Sequence, residues 1–199
     1  MGDFSIKEAF SVGYRKTVEN IGLLISAVLI IFLIELSLYI FLNESAILIQ
    51  FLIGTMLTLG FINISLKIYN SNESDVKIAE LFKVFNYLGV YIIASSVYLL
   101  STFIGFVFLF VPGFVVFVKF FFYSYYIVDE GAGILESLSK SWKATNGCGF
   151  KLFAFIIILF FVNLGGALLL GIGLFFTIPL SMMTVIHVYN EISYKNIVE

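Results

Sequence analysis

"FVVFVKFFFYSYYIV", residues 114–128, sets one lysine, Lys119, inside an unbroken run of aromatic and branched side chains. Read back to Pro112, the run approaches the roughly 20 apolar residues that a helix needs to cross about 30 Å of hydrocarbon. Pro112 suits the first turn of that helix, where a missing N–H leaves no hydrogen bond unmade. The stretch therefore reads as a membrane span, from Pro112 to Val128, with a charge inside it.

The rest of the chain agrees with that reading. Of 199 residues, 61% are hydrophobic and 12% charged, against about 25% charged in an ordinary soluble domain. Further apolar runs lie at Ile21–Leu42, Ala46–Leu66 and Leu88 to about Phe110, and a long run, Phe150–Tyr189, is divided near Gly171–Gly173 by "LGGALLLGIG". Membrane β-strands are shorter and alternate polar with apolar residues. The expected fold is all-α: a bundle of about six transmembrane helices. The first run is too long for the core of a cleaved signal peptide and is expected to remain as a span.

Short turns, "NES" at 43–45 and "VPG" at 111–113, close the hairpins, and the sixth span carries Pro179 in its first turns. Lys and Arg concentrate in segments left on the cytoplasmic face. Lys7, Arg15 and Lys16 precede span one; Lys67, Lys77 and Lys83 lie between spans two and three; Lys140, Lys143 and Lys151 lie between four and five; Lys195 follows span six. The hairpin tips have none. Both termini and both longer connections are thus expected on the cytoplasmic side of a cell membrane, with Lys119 as the exception.

Those connections share a pattern. "IKEAF" at 6–10, "IAELF" at 78–82 and "ILESL" at 134–138 each read Ile, any residue, Glu, any residue, Phe or Leu, and each precedes a hydrophobic hairpin. The expectation is an internal repeat of an amphipathic helix plus a hairpin, with units at about 4–66, 74–128 and 132–190. The apolar faces are Ile6, Ala9, Phe10, Gly13 and Tyr14, then Ile78, Leu81, Phe82 and Phe85, then Ile134, Leu138, Ser141 and Trp142. Such helices suit the cytoplasmic headgroup region, where they either complete the fold by covering the ends of the spans or dock a partner.

Residues 88–192, through "IGFVFLFVPG", "DEGAGILESLSKSWKATNGCGFKL" and "GGALLLGIGLFFTIPLSMMTVIHVYNEI", resemble a large group of prokaryotic membrane proteins that includes the DUF975 and YciC-like families and the membrane domain attached to some glycerophosphodiester phosphodiesterases. Gly105, Pro112, Gly113, Asp129, Glu130, Ser141, Gly147, Gly173, Pro179 and Tyr189 carry the resemblance. It implies a bundle of about six spans with no established chemistry. The 199 residues hold no phosphodiesterase domain.

Candidate sites follow from polar groups at membrane depth, which cost about 2.5–3.5 kcal/mol on insertion scales and tend to pair or line cavities. Glu35 and Lys119 stand at similar distances from the expected outer ends of spans one and four. They are expected either to pair or share one pocket, or to stand apart, with Lys119 reaching alone to the headgroups. Asn163, Ser95 and Ser96, with Ser101 and Thr102, could form a polar interior. Asp129 and Glu130, at the cytoplasmic exit of span four, could cap the next helix or protonate a substrate.

His187 is the only histidine and Cys148 the only cysteine; neither has a partner at metal-ligand or catalytic spacing. No catalytic constellation, metal site, cofactor or nucleic-acid surface is expected. The functional expectation is a non-enzymatic membrane scaffold or accessory module in envelope or lipid processes. The alternative is a transporter for a small or amphipathic solute. Membrane lipids are the expected partners, with a second membrane protein or a copy of this chain as further candidates.

Overall fold

The computed structural model describes residues 4–42, 46–70, 76–108 and 110–198, excluding the side chains of 110 and 194–198. The "NES" turn and residues 71–75 of the second connection lie outside the described residues. The helices are α1 (Ile6–Glu19), α2 (Ile21–Phe41), α3 (Ile47–Asn70), α4 (Leu88–Phe108), α5 (Phe110–Lys119), α6 (Tyr123–Glu130), α7 (Ile134–Ala144), α8 (Gly149–Leu168) and α9 (Leu174–Val198); two 3₁₀ turns, Ile78–Phe82 and Phe85–Tyr87, precede α4. The described residues contain no strand. The fold is an all-α bundle.

Five stretches, at 21–41, 47–70, 78–108, 111–130 and 149–168, are long and apolar enough to cross a membrane. The sixth expected span is a helix, α9, but Ser181, Thr184, His187, Asn190 and Glu191 run through it and lower its hydropathy below that of the five. Its inner face is buried: Met183, Thr184, Ile186 and Val188 are inaccessible. The α8–α9 turn falls where the glycines suggested, with Gly171 in the left-handed region at φ 76°. Gly166 and Gly173 instead allow close packing, since a Cβ on Gly173 would stand 2.7 Å from the Gly166 carbonyl oxygen.

The fourth expected span is not one helix. It stops at Lys119 and restarts at Tyr123, which frees backbone groups that membrane proteins must satisfy from within. Here α7 supplies the partners. Ser141 Oγ–H donates to the Lys119 carbonyl at 2.8 Å, and the Phe122 N–H donates to Ser141 Oγ at 3.1 Å.

The segments bearing the shared Ile-x-Glu pattern occupy similar environments. The residue after the glutamate is fully buried in each: Ala9, Leu81 and Ser137. In α1 the buried stripe continues at every fourth residue through Gly13 and Thr17, and in α7 through Ser141 to Thr145 at its C-cap. Thr17 and Thr145 each donate to the carbonyl four residues back, at 2.7 and 2.9 Å. Small residues allow such close helix contact in a bundle. A Cβ on Gly13 would lie 2.9 Å from the Thr184 backbone.

The middle segment departs from the expected α-helical face. Being 3₁₀, it repeats every three residues, so Leu81 and Val84 are buried while Phe82 and Phe85 are 46% and 73% exposed. Each segment packs against a helix of another hairpin: α1 on α9, Ile78–Phe82 on α3, and α7 on α6. One core cluster joins Leu59 and Ile62 of α3, Phe122, Tyr125 and Tyr126, Leu152 and Phe155 of α8, and Ile186 and Tyr189 of α9. The Tyr189 ring sits 6.0, 5.6 and 5.0 Å from those of Phe122, Tyr125 and Tyr126. Aromatic pairs of this kind contribute about 0.5–1.5 kcal/mol each beyond burial.

Candidate functional site

Three groups of polar side chains at the margin of this core line cavities or join helices. The first is in a groove of about 450 Å³ between α3 and α4, lined by Phe51, Gly54, Thr55, Thr58, Tyr91, Ile92, Ser95, Ser96, Tyr98, Leu99 and Tyr123. Seven of these eleven residues carry a hydroxyl. Ser95 Oγ and the Tyr123 hydroxyl share a 2.8 Å hydrogen bond. Thr58 donates to the Gly54 carbonyl at 2.9 Å and Ser96 to that of Ile92 at 2.8 Å. The Tyr123 ring stands 5.7 Å from that of Tyr91 and 5.4 Å from that of Tyr98.

The second is at the break before α6. Lys119 Nζ donates to Asn146 Oδ1 at 2.5 Å and lies 5.5 Å from the centre of the Trp142 ring. Lys119 lines a largely apolar cavity of about 430 Å³ with Phe114, Val118, Gly149, Phe150 and Phe153. The lysine that looked exceptional in sequence thus belongs with the basic α7–α8 connection.

The third lies where α3 and α6 end beside α9. Asp129 accepts from the Tyr189 hydroxyl at 3.0 Å, and with Asn63, Lys67 and Asn70 it lines a cavity of about 290 Å³. Asn190 donates to Asn70 at 2.9 Å, and the Tyr69 hydroxyl lies 2.6 Å from His187 Nδ1. Glu80 bridges Lys67 and Lys83, both at 2.5 Å. Lys140 bridges Glu130 at 2.7 Å and Glu136 at 2.6 Å. Its ammonium is pushed above the usual lysine range first by Glu130 and then by Glu136, and it in turn holds the Glu136 carboxyl below the usual range.

The structure disperses the residues expected to act together. Glu35 lines a different cavity, of about 440 Å³, with Phe32, Leu170, Gly171 and Phe175. Lys119 lies beside Gly149 at the start of α8 and Glu35 beside Gly171 just past its end. A 20-residue helix sets those ends about 30 Å apart, so Glu35 and Lys119 do not pair. Asn163 donates to Ser181 Oγ at 2.7 Å, tying α8 to α9 rather than joining Ser95 and Ser96. The expected polar interior is therefore two separate features.

Asp129 and Glu130 do not cap α7, because Glu136 reaches back to the Gly133 N–H at 3.4 Å. Cys148 is buried with Sγ 3.6 Å from the Thr145 carbonyl. Among the described residues, no group of three or more His, Cys, Asp or Glu could hold a metal ion.

Sequence reasoning missed Tyr91, Tyr98 and Tyr123 as groove residues. The signal was present: Tyr91, Ser95 and Tyr98 fall on one helical face at i, i+4 and i+7.

Five helical stretches long and apolar enough to cross a membrane, packed around a buried apolar and aromatic cluster, define a helical membrane protein. Residues 32–193, from within α2 to α9, match the family described as Domain of unknown function (DUF7847). The chain belongs to that family. No curated protein and no solved structure matches it.

Proposed function

We propose that the chain is a non-enzymatic, multi-pass scaffold or accessory module of a prokaryotic cell membrane, serving envelope or lipid processes, with both termini cytoplasmic. The observation that carries this reading is the filled centre: α3, α6, α8 and α9 meet in one continuous apolar and aromatic cluster. A transporter needs a polar route through the bundle, whereas this cluster contains no charged side chain and its polar side-chain atoms are the tyrosine hydroxyls and the Cys148 thiol. The internal repeat belongs to the same reading. From Ile6 to Ile21 and from Ile134 to Gly149 the separation is identical, and α3 and α9 start at corresponding points to within a residue.

The test is solvent entry into the centre. In a Cys148→Ser background, Leu59→Cys and Val185→Cys should resist a methanethiosulfonate reagent in proteoliposomes, while Lys143→Cys reacts. Rapid labelling of both core positions would overturn the scaffold and favour the transporter.

A further inference from the structure

The groove between α3 and α4 differs from the other cavities. Its described lining carries seven hydroxyl groups and no charged side chain, and its rim is open to the bilayer side, with Phe51 56% and Leu99 64% exposed. An anion entering it would lose its hydration without a counter-charge, and the Glu35 carboxyl against Gly54 opposes it further, which excludes anionic ligands. A pure hydrocarbon would cover the hydroxyl oxygens without giving them a partner, at a cost for each buried polar group.

The directions of the hydrogen bonds narrow the choice. The protons of Thr58 and Ser96 are committed to carbonyls in their own helices, and a hydroxyl oxygen retains acceptor lone pairs after its proton is used. Of the two protons of the Ser95 and Tyr123 hydroxyls, one lies in the hydrogen bond between them. The Tyr98 hydroxyl lies 3.4 Å from the Phe117 carbonyl. The wall therefore presents more acceptors than free donors, beside the stacked faces of Tyr91 and Tyr123.

We propose that this groove binds a membrane lipid with an uncharged headgroup bearing a free hydroxyl, a glyceride, whose single O–H donates to the oxygen of either Thr58 or Ser96 while its chains lie along Phe51 and Leu99. The cavity, at about 450 Å³, is in the range of roughly 300–1,000 Å³ usual for small-molecule sites. The inference goes beyond the scaffold reading and does not depend on it.

The experiment uses the full chain in phosphatidylcholine nanodiscs with a diacylglycerol carrying a photoreactive acyl chain. Label should map to peptides containing Phe51–Thr58 and Ile92–Leu99. Excess unlabelled diacylglycerol should remove it, whereas triacylglycerol, which lacks the hydroxyl, and phosphatidic acid, which is charged, should compete about five-fold less well, the worth of one hydrogen bond. Thr58→Val with Ser96→Ala should reduce labelling by a similar factor at unchanged elution volume. Equal competition by triacylglycerol, or label confined to other helices, overturns the proposal on the wild-type protein alone, whatever the variant does.

Discussion

Ser141 and Lys119, 22 residues apart in sequence, are joined by a 2.8 Å hydrogen bond from the serine hydroxyl to the lysine backbone carbonyl. The same oxygen receives the Phe122 N–H, so one buried side chain closes both sides of the break between α5 and α6. Ser141→Ala would leave the Phe122 N–H unsatisfied and the Lys119 carbonyl with only the longer 3.3 Å bond from the Thr145 hydroxyl, at about 1–3 kcal/mol for a buried group. Thermal unfolding in detergent should fall by several degrees. Lys119→Met, which keeps the backbone carbonyl, should cost less; equal losses would mean that the ammonium, not the capped break, holds this region.

The close approaches give a second prediction. A Cβ on Gly60 would collide with the Leu81 carbonyl oxygen, so Gly60→Ala must displace the 3₁₀ turn from α3. Overpacking of this kind costs about 1–3 kcal/mol or more. At Gly22 and Gly89 nothing lies within 4 Å, and alanine there should be neutral or stabilising by about 0.5–1 kcal/mol, within helices that prefer it. Thermal stability of the purified variants checks the contrast.

Hydropathy and the Ile-x-Glu pattern made the helices, their order and the basic connections legible, because these depend on local composition. The break at Phe120–Phe122 was not legible: "KFFFYSYY" carries no Gly or Pro, and the helix stops where Ser141, far along the chain, offers better partners. Of the two alternatives for Glu35 and Lys119, the structure gives the one in which they stand apart, for a related reason. Spacing from the span ends gives equal depth only if span four is one straight helix; α5 ends at Lys119, which is level with the α7–α8 connection, about 30 Å along α8 from the surroundings of Glu35. Ser95 and Ser96 were found because a hydroxyl in a span is conspicuous; the tyrosines facing them looked like ordinary aromatic filling.

That separation gives a third prediction. With about 30 Å of α8 between their surroundings, Glu35→Ala and Lys119→Ala should add in a double-mutant cycle to within about 0.3–0.5 kcal/mol. Lys119→Ala with Asn146→Ala should not, because those two side chains touch at 2.5 Å. Coupling in the first pair and additivity in the second would reverse the assignment.

The Lys140 bridge predicts a pH dependence with a definite sign. Lys140 lowers the Glu136 carboxyl from its ordinary 4.5, so its stabilisation is present above that value and fades as pH falls through the lower folded one. Glu130 and then Glu136 raise Lys140 from 10.5, so that contribution is present below 10.5 and fades as pH rises through the higher folded value. Thermal stability should be flat between these limits, and Lys140→Met should weaken both edges. Because the bridge is exposed, the effect should also shrink in high salt. A bell centred near neutral pH in the variant and wild type alike would assign the dependence elsewhere.

Orientation supplies the last prediction. Lys140, Lys143 and Lys151 flank the α7–α8 connection, and Lys119 joins them there through Asn146, whereas the α8–α9 turn at Leu168–Gly173 carries no charge. Basic residues are retained on the cytoplasmic face during insertion, so the two ends of α8 should be on opposite sides. In a Cys148→Ser background, Leu169→Cys should react with an impermeant maleimide on intact cells. Lys143→Cys should react only after permeabilisation. The reverse pattern would invert the bundle, and labelling of both positions on intact cells would mean that α8 does not cross; either result would also remove the electrostatic explanation for the position of Lys119.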